Sequence, residues 1–307
     1  MKESKPLIIA AFIAIYIIWG STYLLNKIVV TEVPPLLLAA TRFSLSGILI
    51  MLIAIFLKVP IKATKKQLVN AAIAAFLFLI YGNGVFVWAL KYVDSGFAAL
   101  LAATQPLFVL LLLRLVDGKK MQAQSIIGVV LGITGMYLLV SQNEITTSKD
   151  TLRGVLMIFS CILSWSYGSI FVAKARLPKN FFVSTSYQML IAGIFLFIAS
   201  LLLNEPWSSP IDWSLKAQGS MVLLIVFGSI VAFTSFNYLL KVVSAEKVST
   251  SAYVNPVVAL FLGWWFLDET LTTQSIIASI VLLSGVYFIT SRKRISKLKV
   301  NSKPQKV

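Results

Sequence analysis

The chain has 307 residues, of which 58% are hydrophobic and only 12% are charged, and its mean hydropathy is +0.89. A soluble domain carries roughly 25% charged residues, so this composition excludes a water-soluble globular protein. The net charge of +16 raises the alternative of nucleic-acid binding, which the distribution of the basic residues has to decide.

Ten apolar runs follow one another along the chain, and each is long enough to cross a membrane as a helix. Crossing a hydrocarbon core of ~30 Å takes roughly 20 apolar residues at a rise of 1.5 Å per residue. Continuous runs of this length are typical of helices and not of barrel strands. We therefore predict an all-α polytopic membrane protein with ten transmembrane helices, at approximately residues 7–26, 35–57, 68–90, 96–116, 122–141, 152–172, 181–203, 218–239, 247–267 and 273–291.

The first run occupies the position of a secretory signal. It lacks a small-residue cleavage site and is as long as the other runs, so we predict that it is retained. If the amino terminus is inside, about 21 basic residues fall on the inner side and about 5 on the outer side. This positive-inside bias predicts that both termini are cytoplasmic. We expect the basic tail at residues 292–307 to bind anionic lipid headgroups and not nucleic acid.

The second half of the chain repeats the first. Shifted by 150 positions, residues 86–141 align with 236–291 without a gap, and about 15 of the 56 pairs are identical. Five spans per repeat reverse the orientation of the second repeat, so Lys91 is expected outside and Lys241 inside. We predict inverted five-helix repeats at residues 1–146 and 147–291, an arrangement typical of alternating-access transporters. The alternative is a duplication without symmetric motion.

Two prolines lie inside predicted spans, Pro106 in the fourth and Pro256 in the ninth, at equivalent positions of the repeat. Proline removes a backbone donor and clashes with the carbonyl four residues before it, so each helix is expected to bend there. The bends are either hinges that line a cavity or static kinks. Gln105 and Asn255, which immediately precede the prolines, are able to satisfy the carbonyls that a bend frees.

Several short motifs extend over nearly the whole chain in a fixed order: Tyr16-Ile-Ile-Trp-Gly-Ser-Thr-Tyr23, Pro34-Pro35, Arg42-Phe43, Gly82-Asn83-Gly84, Ser95-Gly-Phe-Ala-Ala99, Thr104-Gln-Pro-Leu-Phe108 and Ala252-Tyr-Val-Asn-Pro-Val-Val258. On these motifs the chain resembles the EamA branch of the drug/metabolite transporter superfamily. The resemblance implies a bacterial inner-membrane exporter of metabolites, often amino acids or related compounds. It also implies a central cavity between spans one to four and six to nine. The family commonly has a Gly-Glu pair after the fourth span; here that place reads Asp117-Gly118-Lys119, while the second half keeps Asp268-Glu269.

Arg42 is the clearest ionisable residue inside a predicted span. An intramembrane charge costs at least ~2.5–3.5 kcal/mol on insertion scales, so it normally faces a partner or water. Arginine can bind a substrate carboxylate with two hydrogen bonds. The alternative is that Arg42 snorkels toward the headgroups or caps carbonyls inside the bundle.

Aromatic rings and amides in the apolar runs complete the candidate site. The rings can stack on a ligand or attract a cation, or they can simply pack helices together. The amides need buried partners, and many amides of this kind only hold helices together. The predicted cavity residues are Trp19, Tyr23, Arg42, Asn83, Trp88, Gln105, Trp165, Gln188, Asn237, Tyr238, Tyr253 and Asn255. The small-xxx-small pair Gly128 and Gly132 predicts close helix contact, either within the scaffold or in a homodimer.

The residue types that the sequence lacks limit the functions that it can have. The sequence has no histidine and one cysteine, Cys161, and all eleven acids fall in loops or at span ends. We therefore predict no metal, no cofactor, no ATP site and no enzymatic activity. Proton-coupled carriers typically use intramembrane acids or histidines, so we expect uniport or substrate exchange. Coupling through Asp268, Glu269 or tyrosines is the alternative.

Together these patterns predict an inner-membrane transporter, with export implied by the family resemblance, of small metabolites such as amino acids or related amphipathic compounds. The alternatives are a passive channel and a transporter-like receptor for small solutes. A channel would show conductance with little saturation, and a receptor would bind its ligand without moving it.

Overall fold

Every regular element in the described part of the chain is a helix. The computed structural model describes residues 5–93, 98, 101–118, 122–141, 149–267 and 272–290. The helices are α1 (Lys5–Val30), α2 (Pro35–Phe56), α3 (Lys65–Ala89), α4 (Gln105–Asp117), α5 (Ala123–Val140), α6 (Lys149–Lys174), α7 (Phe181–Leu202), α8 (Leu215–Val242), α9 (Ser251–Leu267) and α10 (Thr273–Thr290). A short helical turn, Ala245–Val248, precedes α9. Lys119, Asp268, Glu269 and the basic tail lie outside the described residues.

Six of these helices, α1, α2, α3, α6, α7 and α8, are long and apolar enough to cross a membrane. Helices α4, α5 and α10 are apolar but shorter. The helices begin and end within a few residues of the predicted runs, except that α4 begins at Gln105 and not near residue 96. The prediction of an all-helical membrane protein is confirmed for the described residues. The count of ten crossings and the inverted arrangement of the repeats stay predictions.

Polar side chains and proline determine where several helices begin. Thr64 and Gln67 form a capping box at the start of α3, in which each side chain accepts the other residue's backbone N–H. Asn180 Oδ1 accepts two backbone N–H groups at the start of α7. Pro35 stands in the first turn of α2, where its missing N–H costs no helical hydrogen bond.

Two glutamates each join one half of the sequence to a helix start in the other half. Glu205 accepts the backbone N–H of Leu36 at 3.1 Å and of Leu37 at 2.9 Å, at the start of α2. Glu32 accepts the backbone N–H of Ser214 at 2.8 Å and its hydroxyl at 2.6 Å, at the start of α8. Negative charge is favourable at a helix amino terminus. The Ser214 hydroxyl, followed by its backbone N–H, lowers the pKa of Glu32 below its ordinary value.

Helices from the two predicted repeats pack directly against one another. Helix α2 lies along α7 and α5 lies along α10, while α1 contacts α8 and α9, and α6 contacts α3 and α4. Glycines allow the close approach of α5 and α10. A Cβ atom on Gly128 would lie 2.7 Å from Gly285 O, and a Cβ atom on Gly135 would lie 2.9 Å from Ala278 O. Gly132 faces the Tyr253 ring of α9. The small-xxx-small pattern of α5 therefore packs inside the chain.

Helices α3 and α8 each contain a π-helical segment, Phe76–Val85 and Leu224–Val231. The two segments overlap when the chain is shifted by 150 residues. A π turn is wider than an α turn, is rare, and is frequent at functional sites. Side chains of other helices bond to carbonyls of both segments: Ser164 Oγ donates to Leu77 O at 2.8 Å, and Trp19 Nε1 donates to Gly228 O at 3.2 Å. The apolar runs alone indicate nothing of these segments.

The two mid-span prolines occupy different helical positions. Pro106 lies in the first turn of α4, directly after a turn at residues 103–104, so the fourth run is interrupted before the proline. Thr104 supports this interruption, since its hydroxyl donates to Leu101 O at 2.6 Å. Pro256 lies inside α9, which continues on both sides of it. A proline without an N–H is tolerated at a helix start, and this explains why α4 begins where it does.

Candidate functional site

A cavity of about 130 Å³ lies between α1, α2, α3, α4, α6, α8 and α9. Seven of the predicted site residues line it: Trp19, Tyr23, Arg42, Asn83, Gln105, Trp165 and Asn255. Both π-helical segments contribute to its wall, through Leu79, Gly82 and Asn83 on α3 and Gly228 and Ser229 on α8. The cavity therefore lies where helices from the two halves of the sequence meet and where they depart from regular α geometry.

Arg42 carries the positive charge of the cavity. Its side chain is 4% exposed, and its Nε donates to Ser229 Oγ at 2.7 Å. Its Nη1 donates to Asn26 Oδ1 at a longer 3.4 Å. A guanidinium has five N–H donors and is always charged, so these two bonds leave three N–H groups without an acceptor among the described residues.

The surroundings of Arg42 do not neutralise its charge. Within the described part of the chain no carboxylate pairs with it, and no acid lines the cavity. The glycine at position 228 allows the guanidinium to approach α8 closely, because a Cβ atom there would lie only 3.1 Å from Arg42 Nη2. The site thus presents an uncompensated cation with spare donors, which is suited to an anionic group.

Five aromatic side chains form one contiguous cluster beside this cation, which we call the aromatic cluster. Trp19 meets Trp165 edge to face at 5.9 Å between ring centroids, and Trp165 lies 5.0 Å from Phe78. Trp19 also lies 5.0 Å from Phe236, and Phe233 is 6.1 Å from Phe236. All except the fully buried Phe78 line the cavity. Such rings provide apolar surface and the geometry that aromatic pairs prefer.

Two amide oxygens remain without partners beside the cavity. Asn83 Oδ1 and Asn255 Oδ1 are buried and have no hydrogen-bond donor among the described residues. Asn255 as a whole is only 4% exposed. Buried polar atoms are normally satisfied, so each is an acceptor available to water or to a bound molecule.

The hydrogen bond between Tyr16 and Thr250 joins the two halves of the sequence near the aromatic cluster. The hydroxyl groups of Tyr16, on α1, and Thr250, in the turn before α9, are 2.8 Å apart. The Thr250 hydroxyl also donates to Lys247 O at 2.6 Å. Since its own hydrogen is used there, Thr250 accepts from Tyr16. Four residues before Thr250, Glu246 accepts a hydrogen bond from the hydroxyl of Ser125. Glu246 is buried and does not line the cavity.

The other predicted site residues do not line this cavity: Trp88, Gln188, Asn237, Tyr238, Tyr253, Pro106 and Pro256. Gln188 and Asn237 bond to each other across α7 and α8, with Gln188 Nε2 donating to Asn237 Oδ1 at 3.4 Å. Tyr238 packs edge to face on Phe181 at 5.0 Å, and Tyr253 is fully buried against α5. The last four side chains, those of Gln188, Asn237, Tyr238 and Tyr253, thus make contacts between helices, which is the alternative that the sequence left open for the amides and the rings.

Several lining residues were not predicted, among them Thr22, Cys161, Ser229, Phe233, Phe236 and Ser251. Three of them, Ser229, Phe233 and Phe236, recur at spacings of four and three along α8 and so share one helical face. This spacing is the signal that sequence reasoning had available for them. Ser229 by itself is a common residue type in an apolar run and carries no such signal.

Comparison with known proteins identifies relatives along the whole chain. Residues 6–141 and 152–291 each match the model of the EamA-like transporter family. The chain is 36% identical over 296 residues to YedA of Escherichia coli strain K12, an uncharacterized inner membrane transporter, covering 95% of this chain and 93% of that protein. It is 23% identical over 291 residues to YoaV of Bacillus subtilis strain 168, an uncharacterized transporter, covering 94% and 99%. One crystal structure shares the fold with a TM-score of 0.78 at 19% identity, over 94% of this chain and 98% of that one.

Proposed function

This chain belongs to the EamA-like transporter family, and from that premise we propose that it moves small amphipathic metabolites across the bacterial inner membrane by alternating access. The coarser conclusion, a multi-pass membrane transporter, rests on the family match and on the six long apolar helices. We propose export as the direction, in line with the family resemblance. Neither the family match nor the relatives point to an enzyme.

The observation that carries the substrate proposal is the buried guanidinium of Arg42 in a cavity that no acid lines among the described residues. A cargo carboxylate supplies the missing negative charge and accepts the spare N–H groups. Donor groups of the same cargo reach the unpartnered oxygens of Asn83 and Asn255. Its apolar part lies against the aromatic cluster. Apolar amino acids combine all three features, and related monocarboxylates combine the carboxylate with the apolar part.

We propose ten crossings in two inverted repeats, at residues 1–146 and 147–291, with both termini in the cytoplasm. Two successive matches to one family model support a duplication. The pairing of α2 with α7 and of α5 with α10 is the pattern expected when the repeats are related by a two-fold axis in the membrane plane. The excess of basic residues in the inner segments supports the orientation. The basic tail then lies at the anionic inner surface.

We further propose uniport or exchange as the mode of transport. An acid or histidine near the substrate is the usual means of coupling to protons, and within the described residues none lines the cavity. The cargo gradient, together with the membrane potential for a charged cargo, then drives the flux. Net uphill export powered by a proton gradient alone would contradict this mode.

Counterflow in proteoliposomes tests the proposed function directly. The purified full chain is loaded with a saturating unlabelled compound, and uptake of the labelled compound is followed for neutral L-amino acids and for 3-phenylpropionate. A carrier accumulates label transiently and saturates. Conductance without saturation would indicate a channel, and binding without flux would indicate a receptor; either outcome refutes the proposal.

Matched variants locate the flux in the cavity. We expect Arg42→Ala, Trp19→Ala and Asn255→Ala to lower the flux while the amount of folded protein stays near normal. Arg153→Ala and Trp265→Ala are the controls, because Arg153 is exposed and Trp265 is 62% exposed on α9. If all three cavity variants transport normally, the cavity assignment is wrong.

A further inference from the structure

Ser229 stands at the point where α8 meets the guanidinium of Arg42. It lies in the π-helical segment Leu224–Val231, and its side chain is fully buried. Its Oγ accepts the Nε–H of Arg42 at 2.7 Å, the shorter of the two hydrogen bonds that the guanidinium makes. The bond joins α2 to α8 and thus residues of the two predicted repeats.

The choice of Nε determines which edge of the guanidinium remains available. A carboxylate binds arginine with both oxygens along either the Nε/Nη2 edge or the Nη1/Nη2 edge. Ser229 occupies Nε, so the first edge is no longer complete. Asn26 holds one N–H of Nη1 at 3.4 Å, and Nη2 makes no hydrogen bond to any described residue. The Nη1/Nη2 edge is therefore the one open to a planar acid in the cavity.

We infer that Ser229 is a positioning residue for substrate recognition: it holds Arg42 so that the Nη1/Nη2 edge binds the carboxylate of the cargo, and so makes the site selective for monocarboxylates over their uncharged amides. This inference rests on the proposed function. Ser229 acts through Arg42, and its role is distinct from that of the arginine, which supplies the charge.

The π-helical geometry gives this role a structural basis. The segment places Gly228 and Ser229 side by side at the guanidinium, one without a side chain and the other with a short acceptor. Trp19 Nε1 bonds to Gly228 O, which ties the same turn to the aromatic cluster. The segment is thereby held on both sides, by α1 through Trp19 and by α2 through Arg42.

Ser229→Ala removes the acceptor and leaves the Nε–H of Arg42 without a partner. Hydrogen bonds to charged groups contribute enough that their loss corresponds to about a tenfold change in an equilibrium. We expect the apparent KM for a transported monocarboxylate to rise about tenfold while kcat changes little. The selectivity for 3-phenylpropionate over 3-phenylpropionamide is expected to fall by the same factor. Ser229→Thr keeps the hydroxyl and is expected to restore part of the selectivity.

Ser46→Ala is the matched control. Ser46 is also a fully buried serine in the α2–α8 contact, one helical turn from Arg42, but its hydroxyl donates to the backbone carbonyls of Arg42 and Ile225 and does not touch the guanidinium. A purely structural role of Ser229 predicts equal effects of the two Ser→Ala changes on KM and selectivity. The positioning role predicts an effect of Ser229→Ala alone.

A second measurement needs no cargo. In detergent-solubilised protein labelled with ¹⁵N-arginine, Arg42 is the only buried arginine among the described residues, so its Nε–H signal should exchange slowly with water. We expect Ser229→Ala to speed this exchange about tenfold. Ser46→Ala and Ser229→Thr should leave the exchange slow.

The two measurements separate the possible failures. Unchanged Nε–H exchange in Ser229→Ala overturns the positioning role, whatever the transport result. Faster exchange with unaltered acid-over-amide selectivity in a transporting protein overturns the selectivity claim. Faster exchange in a protein that shows no counterflow with any compound refutes the proposed transport function, and with it the recognition role that depends on it.

Discussion

Replacing Tyr16 with phenylalanine removes one hydroxyl from the contact between α1 and the turn that precedes α9. That hydroxyl donates to Thr250 Oγ1 at 2.8 Å, and the proposed topology puts the bond between the cavity and the cytoplasm. A carrier that alternates must break such contacts between its repeats each time the inner side opens. Tyr16→Phe is therefore expected to favour the state that is open to the cytoplasm.

The size of the effect follows from what remains after the change. Thr250 keeps its hydrogen bond to Lys247 O, so no buried hydroxyl loses its last partner. A hydrogen bond of this kind contributes about 1 kcal/mol net. Shifting an equilibrium between two conformations by about 1 kcal/mol changes their ratio about fivefold.

The lone cysteine provides the assay. Cys161 lines the cavity and is 2% exposed, so a thiol reagent reaches it only when the cavity opens. In inverted membrane vesicles, we expect a membrane-impermeant maleimide to label Cys161 about fivefold faster in Tyr16→Phe than in the natural protein. Tyr137→Phe serves as control, because Tyr137 is 64% exposed on α5. An unchanged rate in Tyr16→Phe, or an equal rise in the control, would refute the reasoning.

Three further predictions concern the charge of Arg42 in the cavity, the hydrogen bonds between Glu32 and Ser214, and the packing of α5 against α10. Arg42→Lys keeps the charge but cannot form the bidentate hydrogen bonds of the guanidinium, so the rate of monocarboxylate counterflow should fall about tenfold. Arg42→Gln also removes the charge and should lower this rate further. The hydrogen bonds from Ser214 lower the folded-state pKa of Glu32, so the stabilisation is present above the ordinary value of 4.5 and is lost as pH falls through the lowered value. Thermal unfolding midpoints should show this loss on acidification, and Glu32→Gln should remove that part of the pH dependence. Gly135→Ala forces α5 and α10 apart and should destabilise the protein by about 1–3 kcal/mol, whereas Gly219→Ala in α8 meets no atom within 4 Å and should be neutral or stabilising in denaturation assays.

Most of the helical fold was predictable because it depends on the length of apolar runs. A span is a local property of 20 or so residues, and α2 and α7 begin and end within a residue of the runs that predicted them. The start of α4 was not predictable in the same way. The run 96–116 is predominantly apolar on both sides of residue 104, and its hydropathy does not show the turn at residues 103–104 that precedes Pro106.

The candidate site was predictable for polar or charged side chains that are too costly to expose to lipid and therefore face the interior of the helix bundle. Arg42, Trp19 and Trp165 lie deep in apolar runs, and all three line the cavity. Gln188 and Asn237 were equally conspicuous, but a buried amide can be satisfied by another amide, and the sequence does not say which pairs meet. Trp88 and Tyr238 were also predicted as cavity residues and occupy equivalent positions of the repeat, yet neither lines the cavity.

Ser229 is a site residue that the pattern of residue types does not predict. Its importance comes from the distance to Arg42 Nε and from the π-helical turn that presents it, and both are properties of backbone geometry. A serine in an apolar run is ordinary, because its hydroxyl can bond to a carbonyl of its own helix. The role of Ser229 therefore emerges only from the three-dimensional arrangement.

The wide turns in α3 and α8 also bear on how such a site can change during evolution. A π turn holds one residue more than an α turn, so loss of one codon within Leu224–Val231 would let the backbone relax to ordinary α geometry. The residues left in the segment would then turn about the helix axis by up to about 100°, the rotation per residue of an α-helix, while the flanking turns keep their faces. A single deletion of this kind would turn Ser229 away from Arg42 without altering any side chain. Recognition in descendants of this gene can thus be lost, or regained by an insertion, in one genetic step that leaves the composition of the membrane spans almost untouched.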